Sequence, residues 1–398
     1  FLIGLVSSIF VLIFARNLVT FLGFPGSYYS MLALVPALFA VPLLSAYRGF
    51  FQGMQNMTPI ALSQLIEQIF RVAVGLYLAY ALAGTGLEEA AAGATFGASA
   101  GGIAAFILIY IMFIFSKKSI KEEISVSKNN EAEPVQYVIK SLLYIAVPIT
   151  IGASIAPLMG NMDSFIVSNR LAALGYTVEE YTDMFGELSG TAQTLINFPQ
   201  VFSTAVAMSL VPSITEAFTK KQGIRLNETA NAGVKMSLII GLPCGIGLFM
   251  LAEPIIALLY PSIGPAKHAS SGALLEILSI GVIFLTLVQA FTAILQSVNK
   301  QFHPVKNLAL GLIVKVVLSY MLIGIPNINI KGAAISTTFA YLFVALFNWY
   351  DINKTKIKID LIKVSSRALL STAAMAVTVW ISFSVILSAI GSRNLATL

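Results

Sequence analysis

Eleven long apolar runs follow one another along this chain of 398 residues. A run of about 20 mostly apolar residues is long enough to cross a bilayer as an α-helix. In hydrocarbon only helices and closed barrels satisfy every backbone polar group internally. The runs lie at about 1–20, 30–47, 60–83, 89–116, 137–168, 188–216, 232–257, 271–298, 305–325, 332–351 and 366–389. The period-2 alternation of a membrane barrel is absent, so the sequence predicts an all-α, polytopic membrane helical bundle. Only 11% of residues are charged, against about 25% in a soluble domain.

Lys and Arg in short loops set the orientation. Seventeen cations, among them Arg48, Lys117, Lys220, Lys300 and Lys354, fall on one side, and five, including Arg16 and Arg170, on the other. The richer side is expected to be cytoplasmic. The net charge of +6 then reflects topology and anionic headgroups, with no nucleic-acid signal. Two cations remain inside the spans, Arg71 and Lys315. The single cysteine, Cys244, excludes an intrachain disulfide and a cysteine-cluster metal site. The chain opens at Phe1 within an apolar run and does not read as a signal peptide; it reads as a chain entered partway through.

Sliding the sequence against itself exposes a repeat. At an offset of 244, Gln52 meets Gln296, Gly53 meets Ser297, Ile69 meets Ile313 and Arg71 meets Lys315. At 243, Thr95 and Phe96 meet Thr338 and Phe339. A chance match in apolar sequence is the alternative, but the polar positions coincide. The repeat leaves two helices expected before residue 1. The predicted organisation is a first lobe at 1–116, a solvated cytoplasmic linker at 117–136, a second lobe at 137–351, and a cytoplasmic loop with one further span at 352–398.

The segment RGFFQGMQNMTPIALSQLIEQIFRV, from Arg48 to Val72, resembles the matching loop and helix of the MurJ/SpoVB/YtgP lipid II flippases, the Gram-positive-type branch. These belong to the multidrug/oligosaccharidyl-lipid/polysaccharide exporter superfamily. NMDSFIVSNRL at 161–171, NFPQVFSTAVAMSLVPSITEAF at 197–218, TAILQSVNK at 292–300 and IKGAAISTTFAYL at 330–342 carry the resemblance over most of the chain. It implies two pseudo-symmetric six-helix lobes around a central cavity plus extra C-terminal helices, eleven of about fourteen being present here. The implied activity is translocation of undecaprenyl-pyrophosphate-linked peptidoglycan precursor from the cytoplasmic to the outer leaflet by alternating access. The implied setting is a bacterial plasma membrane, and the implied partners are the lipid-linked oligosaccharide and membrane lipids. The expected state is a monomer able to associate with cell-wall synthesis proteins. No cofactor is expected beyond a coupling ion (H+ or Na+) or the membrane potential.

Such a substrate needs deep cations, because even one charge at the bilayer centre is costly unaided. Glu67 and Arg71, spaced i, i+4, share a helix face. Arg71 lies about 18 Å along its helix from Pro59. The pair is read either as a structural lock or as part of an anion-binding cavity wall. Lys315 has no acid within one turn, so it faces the cavity, meets an acid from another helix or snorkels. Asp163, with Asn161 and Ser164 beside it and Pro148 and Pro157 before it, is a candidate for ion coupling or gating. The alternative is a pair with Arg71, Lys315 or Arg170. Gln193, Asn197 and Gln200 recur at four and three residues and are expected on one face. There they suit sugar and peptide groups, or glue helices together. Where the Gram-negative pattern carries an arginine before the F-P pair, this chain has Thr194. Arg48 is expected to open a cytoplasmic loop, as a contact for lipid phosphate or as ordinary positive-inside placement. His303 is expected in the loop QFHP, and 217–231 as an interfacial helix.

No Gly-rich phosphate loop, metal spacing or nucleophile elbow is present, which argues against an enzyme. The sequence lacks the acidic or histidine cluster that a polytopic lipid-modifying transferase would need in one loop. The competing functions are a polysaccharide-unit flippase or multidrug/cation exporter of the same superfamily, and a non-transporting scaffold for cell-wall or spore-cortex synthesis.

Overall fold

The computed structural model describes residues 2–54, 56–126, 134–355 and 357–390, and all regular elements in them are helical. Every apolar run is a helix: α1 Leu2–Leu22, α2 Val35–Gly53, α3 Thr58–Leu82, α4 Leu87–Val126, α5 Val135–Ala173, α6 Val178–Thr219, α7 Gly223–Met250, α8 Pro265–Ser297, α9 Phe302–Ile323, α10 Lys331–Asn353 and α11 Leu361–Ile390. Among the described residues nine helices are long and apolar enough to cross a membrane, or ten when α2 is joined to Pro25–Ala33 across a 40° bend. The protein is a multi-pass membrane helical bundle.

That bend has a specific cause. The Ser99 hydroxyl of α4 donates to the Ala33 carbonyl at 2.5 Å and accepts from Ala37 N–H at 3.2 Å. It is thus inserted between a carbonyl and an amide four residues apart, the pair that an unbroken helix would join.

Several boundaries differ from expectation. α4 continues through Lys117 to Val126 rather than ending at 116. Half of the segment KKSIKEEISV is lysine and glutamate, which are good helix formers, and it holds no Gly or Pro to stop the helix. The rest of the expected linker is short, and 127–133 lies outside the described residues. α6 starts at Val178, ten residues before the expected 188. Its acidic first turn hid it from hydropathy, but Thr177 and Glu180 form a reciprocal capping box. Residues 217–231 are no separate interfacial helix: α6 ends at Thr219 and α7 begins at Gly223. The turn between them is closed by Gln222 N–H to the Ala217 carbonyl at 2.9 Å, with Lys221 at φ 55°. Arg48 and His303 lie within α2 and α9, not in loops. α5 runs unbroken through Pro148 and Pro157 and ends at Ala173, two residues before Gly175, whose φ of 93° turns the chain away.

The chain divides into two compact units, Phe1–Val138 and Ile139–Leu398. In the first unit Leu44 and Phe51 of α2 pack with Ala105 and Ile109 of α4. α4 also presents Gly93, Gly97 and Gly101, one per turn, to α3. A Cβ added to Gly97 would come within 2.8 Å of Gly75 Cα, and one on Gly93 within 2.9 Å of the Leu78 carbonyl carbon. Backbone-to-backbone approach of this kind drives helix association in lipid, where apolar side chains gain little from meeting each other.

Among the described residues of the second unit α8 is the most enclosed of the membrane-spanning helices. Phe291 and Ile294 of α8 share a core with Ile214 of α6 and Val234 of α7. The α9–α10 contact repeats the small-residue device with Gly311, Gly332, Ser336 and Ala340, and the Ser319 and Ser336 hydroxyls meet at 2.5 Å. The extended lead into α11 is held by asparagines of α7. Lys358 N–H donates to Asn227 Oδ1 at 2.8 Å and Asp360 N–H to Asn231 Oδ1 at 3.1 Å, while Ile357 and Ile359 are buried.

Helix boundaries follow the repeat. The starts Thr58 and Leu87 recur at Phe302 and Lys331, and the end Gly53 at Ser297, each 244 residues on.

Gly97→Ala places a methyl against the backbone of α3, and overpacking of this kind costs about 1–3 kcal/mol. Nothing lies within 4 Å of a Cβ at Gly84. Thermal unfolding in detergent should therefore show a lowered Tm for Gly97→Ala and little change for Gly84→Ala; equal behaviour would contradict the close approach.

Candidate functional site

The first unit carries a three-residue charge cluster. Glu67 sits on α3 one turn before Arg71, and its Oε1 accepts from Arg71 Nη2 at 2.6 Å. Its other oxygen, Oε2, accepts from Arg48 Nη2 of α2 at 3.0 Å, and Arg48 Nε donates to the Ser63 hydroxyl at 2.9 Å. The Glu67 side chain is only 12% exposed, while Arg71 is 43% exposed. One carboxylate between two guanidiniums leaves a net charge of +1. The expected i, i+4 pair is therefore present. Arg48 is not a free loop cation, because the bend of the chain between α2 and α3 brings it onto Glu67.

The second unit holds a partly open cavity of about 330 Å³. Asp163 of α5 and Lys315 of α9 face each other across its wall: Lys315 Nζ donates to Asp163 Oδ2 at 2.6 Å and to the Met159 carbonyl at 3.3 Å. Lys315, with its side chain 5% exposed, thus neither snorkels nor stands alone, and of the three partners open to Asp163 it is Lys315 that takes it. Pairing is the physical reason, since an isolated ammonium in this interior would be prohibitive. The second oxygen, Asp163 Oδ1, is buried without a partner. Asn161 is exposed and Ser164 half-buried, and neither lines the cavity.

The expected amide face divides. Gln193 and Gln200, two turns apart, line the cavity, whereas Asn197 is exposed. Seven residues bring a side chain back to within about 20° of its start, while Asn197 sits at the border of that stripe. Just before Gln193, Glu187–Ala192 form a π-helical turn that places Leu188 and Ser189 on the cavity; such turns are frequent at functional sites. Gln289, Thr292 and Tyr341 also line it and are not among the residues expected there. The signal that could have found Gln289 and Thr292 is their spacing, since Thr286, Gln289, Thr292 and Gln296 recur every three or four residues in an otherwise apolar helix. The pair at Asp163 and Lys315 is neutral in sum. Amides and hydroxyls therefore dominate the cavity's recognition chemistry, which fits a sugar or peptide group better than a bare phosphate.

Arg71 and Lys315, equivalent in the repeat, have different surroundings. Arg71 is satisfied by an acid of its own helix, and Lys315 by one from α5.

The sequence model of the family described as "Lipid II flippase MurJ" matches residues 1–396. Stage V sporulation protein B of Bacillus subtilis (strain 168) is 27% identical over 328 residues, which is 82% of this chain and 61% of that protein. Lipid II flippase MurJ of the same organism is 29% identical over 321 residues, 80% of this chain and 58% of that protein. The chain thus spans less than two thirds of the length of either relative. A solved structure of lipid II flippase MurJ in an inward closed conformation matches with a TM-score of 0.71 at 17% identity, over 96% of this chain and 75% of that one. An inward-facing multidrug resistance MATE family transporter of the MOP superfamily matches with a TM-score of 0.69 at 14% identity, over 88% and 77%. At these identities the structural likeness concerns the fold.

Removing one partner of a buried ion pair costs about 3–5 kcal/mol, whereas replacing both by apolar groups is close to neutral. Lys315→Met is accordingly expected to destabilise the protein by about that amount, and Lys315→Met with Asp163→Leu to recover most of it. Denaturation in detergent reads both; a double variant as unstable as the single one would deny the coupling.

Proposed function

The chain belongs to the MurJ lipid II flippase family, and from that premise we infer that the protein moves undecaprenyl-pyrophosphate-linked peptidoglycan precursor, lipid II, from the cytoplasmic to the outer leaflet of a bacterial plasma membrane. The match of the family over residues 1–396 is the observation that carries this reading.

The site chemistry supports it. A lipid-linked diphosphate demands cations, and the Arg48–Glu67–Arg71 cluster keeps one positive charge in excess with Arg71 partly open. A guanidinium that gives one N–H to a carboxylate retains others for a phosphate oxygen. The headgroup's sugars and peptide demand neutral donors and acceptors, which the Gln193, Gln200 and Gln289 wall of the second unit offers. An exporter of cationic drugs would be served by acids in excess, and neither cluster has one. Transport proceeds by alternating access, as in the family reading. Coupling to H+, Na+ or the membrane potential is assigned to Asp163, whose Oδ1 is left without a partner. Membrane lipids and the lipid-linked oligosaccharide are the partners this reading names.

Complementation tests the substrate. In cells depleted of their own flippase, the full-length gene should restore lipid II accessibility at the outer leaflet. Rescue of drug efflux or capsule export in its place would overturn the assignment. Arg71→Ala leaves Glu67 paired with Arg48, so folding and expression should persist. Loss of a charge-assisted hydrogen bond of about 1.5–3 kcal/mol should slow flipping about 10- to 100-fold. A normal flipping rate would assign the cluster to structure alone.

A further inference from the structure

Between the cavity of the second unit and the end of α10 lies a chain of buried polar side chains that the transport reading does not use. Asn307 of α9 and Asn348 of α10 are 1% and 0% exposed. Asn307 Nδ2 donates to Asp351 Oδ2 at 2.8 Å and to Asn348 Oδ1 at 2.9 Å. Asn348 Nδ2 donates to Thr292 Oγ1 of α8 at 3.3 Å, and Thr292 lines the cavity. His303 Nδ1 also reaches Asp351 Oδ2, at 3.2 Å.

The direction of these bonds follows from Asp351. An ionised carboxylate only accepts, so the Asn307 atom against it must be the amide nitrogen. That nitrogen has two hydrogens, and the second requires an oxygen from Asn348. The opposite end of Asn348 is then its nitrogen, which donates to Thr292. The Thr292 hydroxyl is thereby held as an acceptor on its protein side, and its own hydrogen remains to be given. Elsewhere in these helices hydroxyls give that hydrogen to a carbonyl one turn back, as Thr286 does to Ile283 and Ser297 to Ala293. Thr292 makes no such bond among the described residues.

We propose that Asp351, acting through Asn307 and Asn348, sets the Thr292 hydroxyl as a hydrogen-bond donor into the cavity, and that Thr292 recognises an acceptor oxygen on the transported headgroup. This rests on the lipid-linked substrate proposed above. The class of group it selects is a carbonyl or hydroxyl oxygen of a sugar or peptide. Thr292 is the contacting residue; Asp351, Asn307 and Asn348 are positioning residues. The arrangement is costly to build, because each amide buried in a membrane helix must be fully partnered, and α8, α9 and α10 each contribute to it.

The test is equilibrium binding of lipid II to the full-length protein in detergent. Thr292→Val keeps the shape and removes the donor, so the Kd should rise about three- to tenfold, the worth of one neutral hydrogen bond. Thr292→Ser should restore most of the affinity. Asp351→Asn no longer dictates the direction of the chain and should weaken binding in the same sense. The double variant Asp351→Asn/Thr292→Val should bind no worse than Thr292→Val alone, a non-additivity that general damage to the fold would not produce. Wild-type affinity in a folded Thr292→Val protein, or additive losses in the double variant, would overturn the proposal while leaving the substrate reading intact. Absence of lipid II binding by the wild type would overturn both.

Discussion

A charge or a hydrogen-bonding group in hydrocarbon has no water to turn to, and its partner must come from the protein. The polar architecture of this chain follows from that requirement. Glu67 is shared between two arginines, Lys315 closes on Asp163, and Asn307 spends both amide hydrogens on neighbours. Each arrangement joins different helices, so satisfying the polar groups also fixes which helices meet. Asp163 Oδ1 departs from the pattern, buried and unpartnered, and it does so beside the cavity, where an unmet acceptor can serve a ligand.

The same solvent removes the usual reason for apolar side chains to cluster. Helix contact then depends on close approach, and small residues supply it. Gly93, Gly97 and Gly101 let α4 lie against the backbone of α3; between α9 and α10 Gly332 likewise meets the backbone at Leu322 and Ile323, while Gly311 makes room for the Val344 side chain. The helix pairs α3–α4 and α9–α10 recur at one spacing along the chain, 244 residues apart in their starts. The packing device recurs at this spacing more closely than the chemistry does. Arg71 is half of a local pair on a partly exposed face, and Lys315 is enclosed. The cluster in the first unit consequently carries one positive charge in excess, while the cavity of the second is lined by amides and hydroxyls around a neutral ion pair.

By itself the sequence determined the helices, because hydrocarbon thickness and backbone hydrogen bonding leave a long apolar run no other choice. It determined the Glu67–Arg71 pair, because four residues return a side chain to the same face. It also determined the repeat, because Arg71 and Lys315 fall at one offset. Local charge and capping misled it at helix ends: the acids of α6 lowered its hydropathy, and the lysines after 116 read as a linker although they continue α4. Only the tertiary structure decided partners distant in sequence. Asp163 had three cations to choose from and took Lys315, Arg48 was drawn from its expected loop onto Glu67, and Asn197 was turned outward while Gln193 and Gln200 faced the cavity. The joining of Thr292, Asn307, Asn348 and Asp351 has no local signature, since they come from three helices. A hydrogen bond between helices depends on their relative rotation, which packing sets and spacing along one helix does not record.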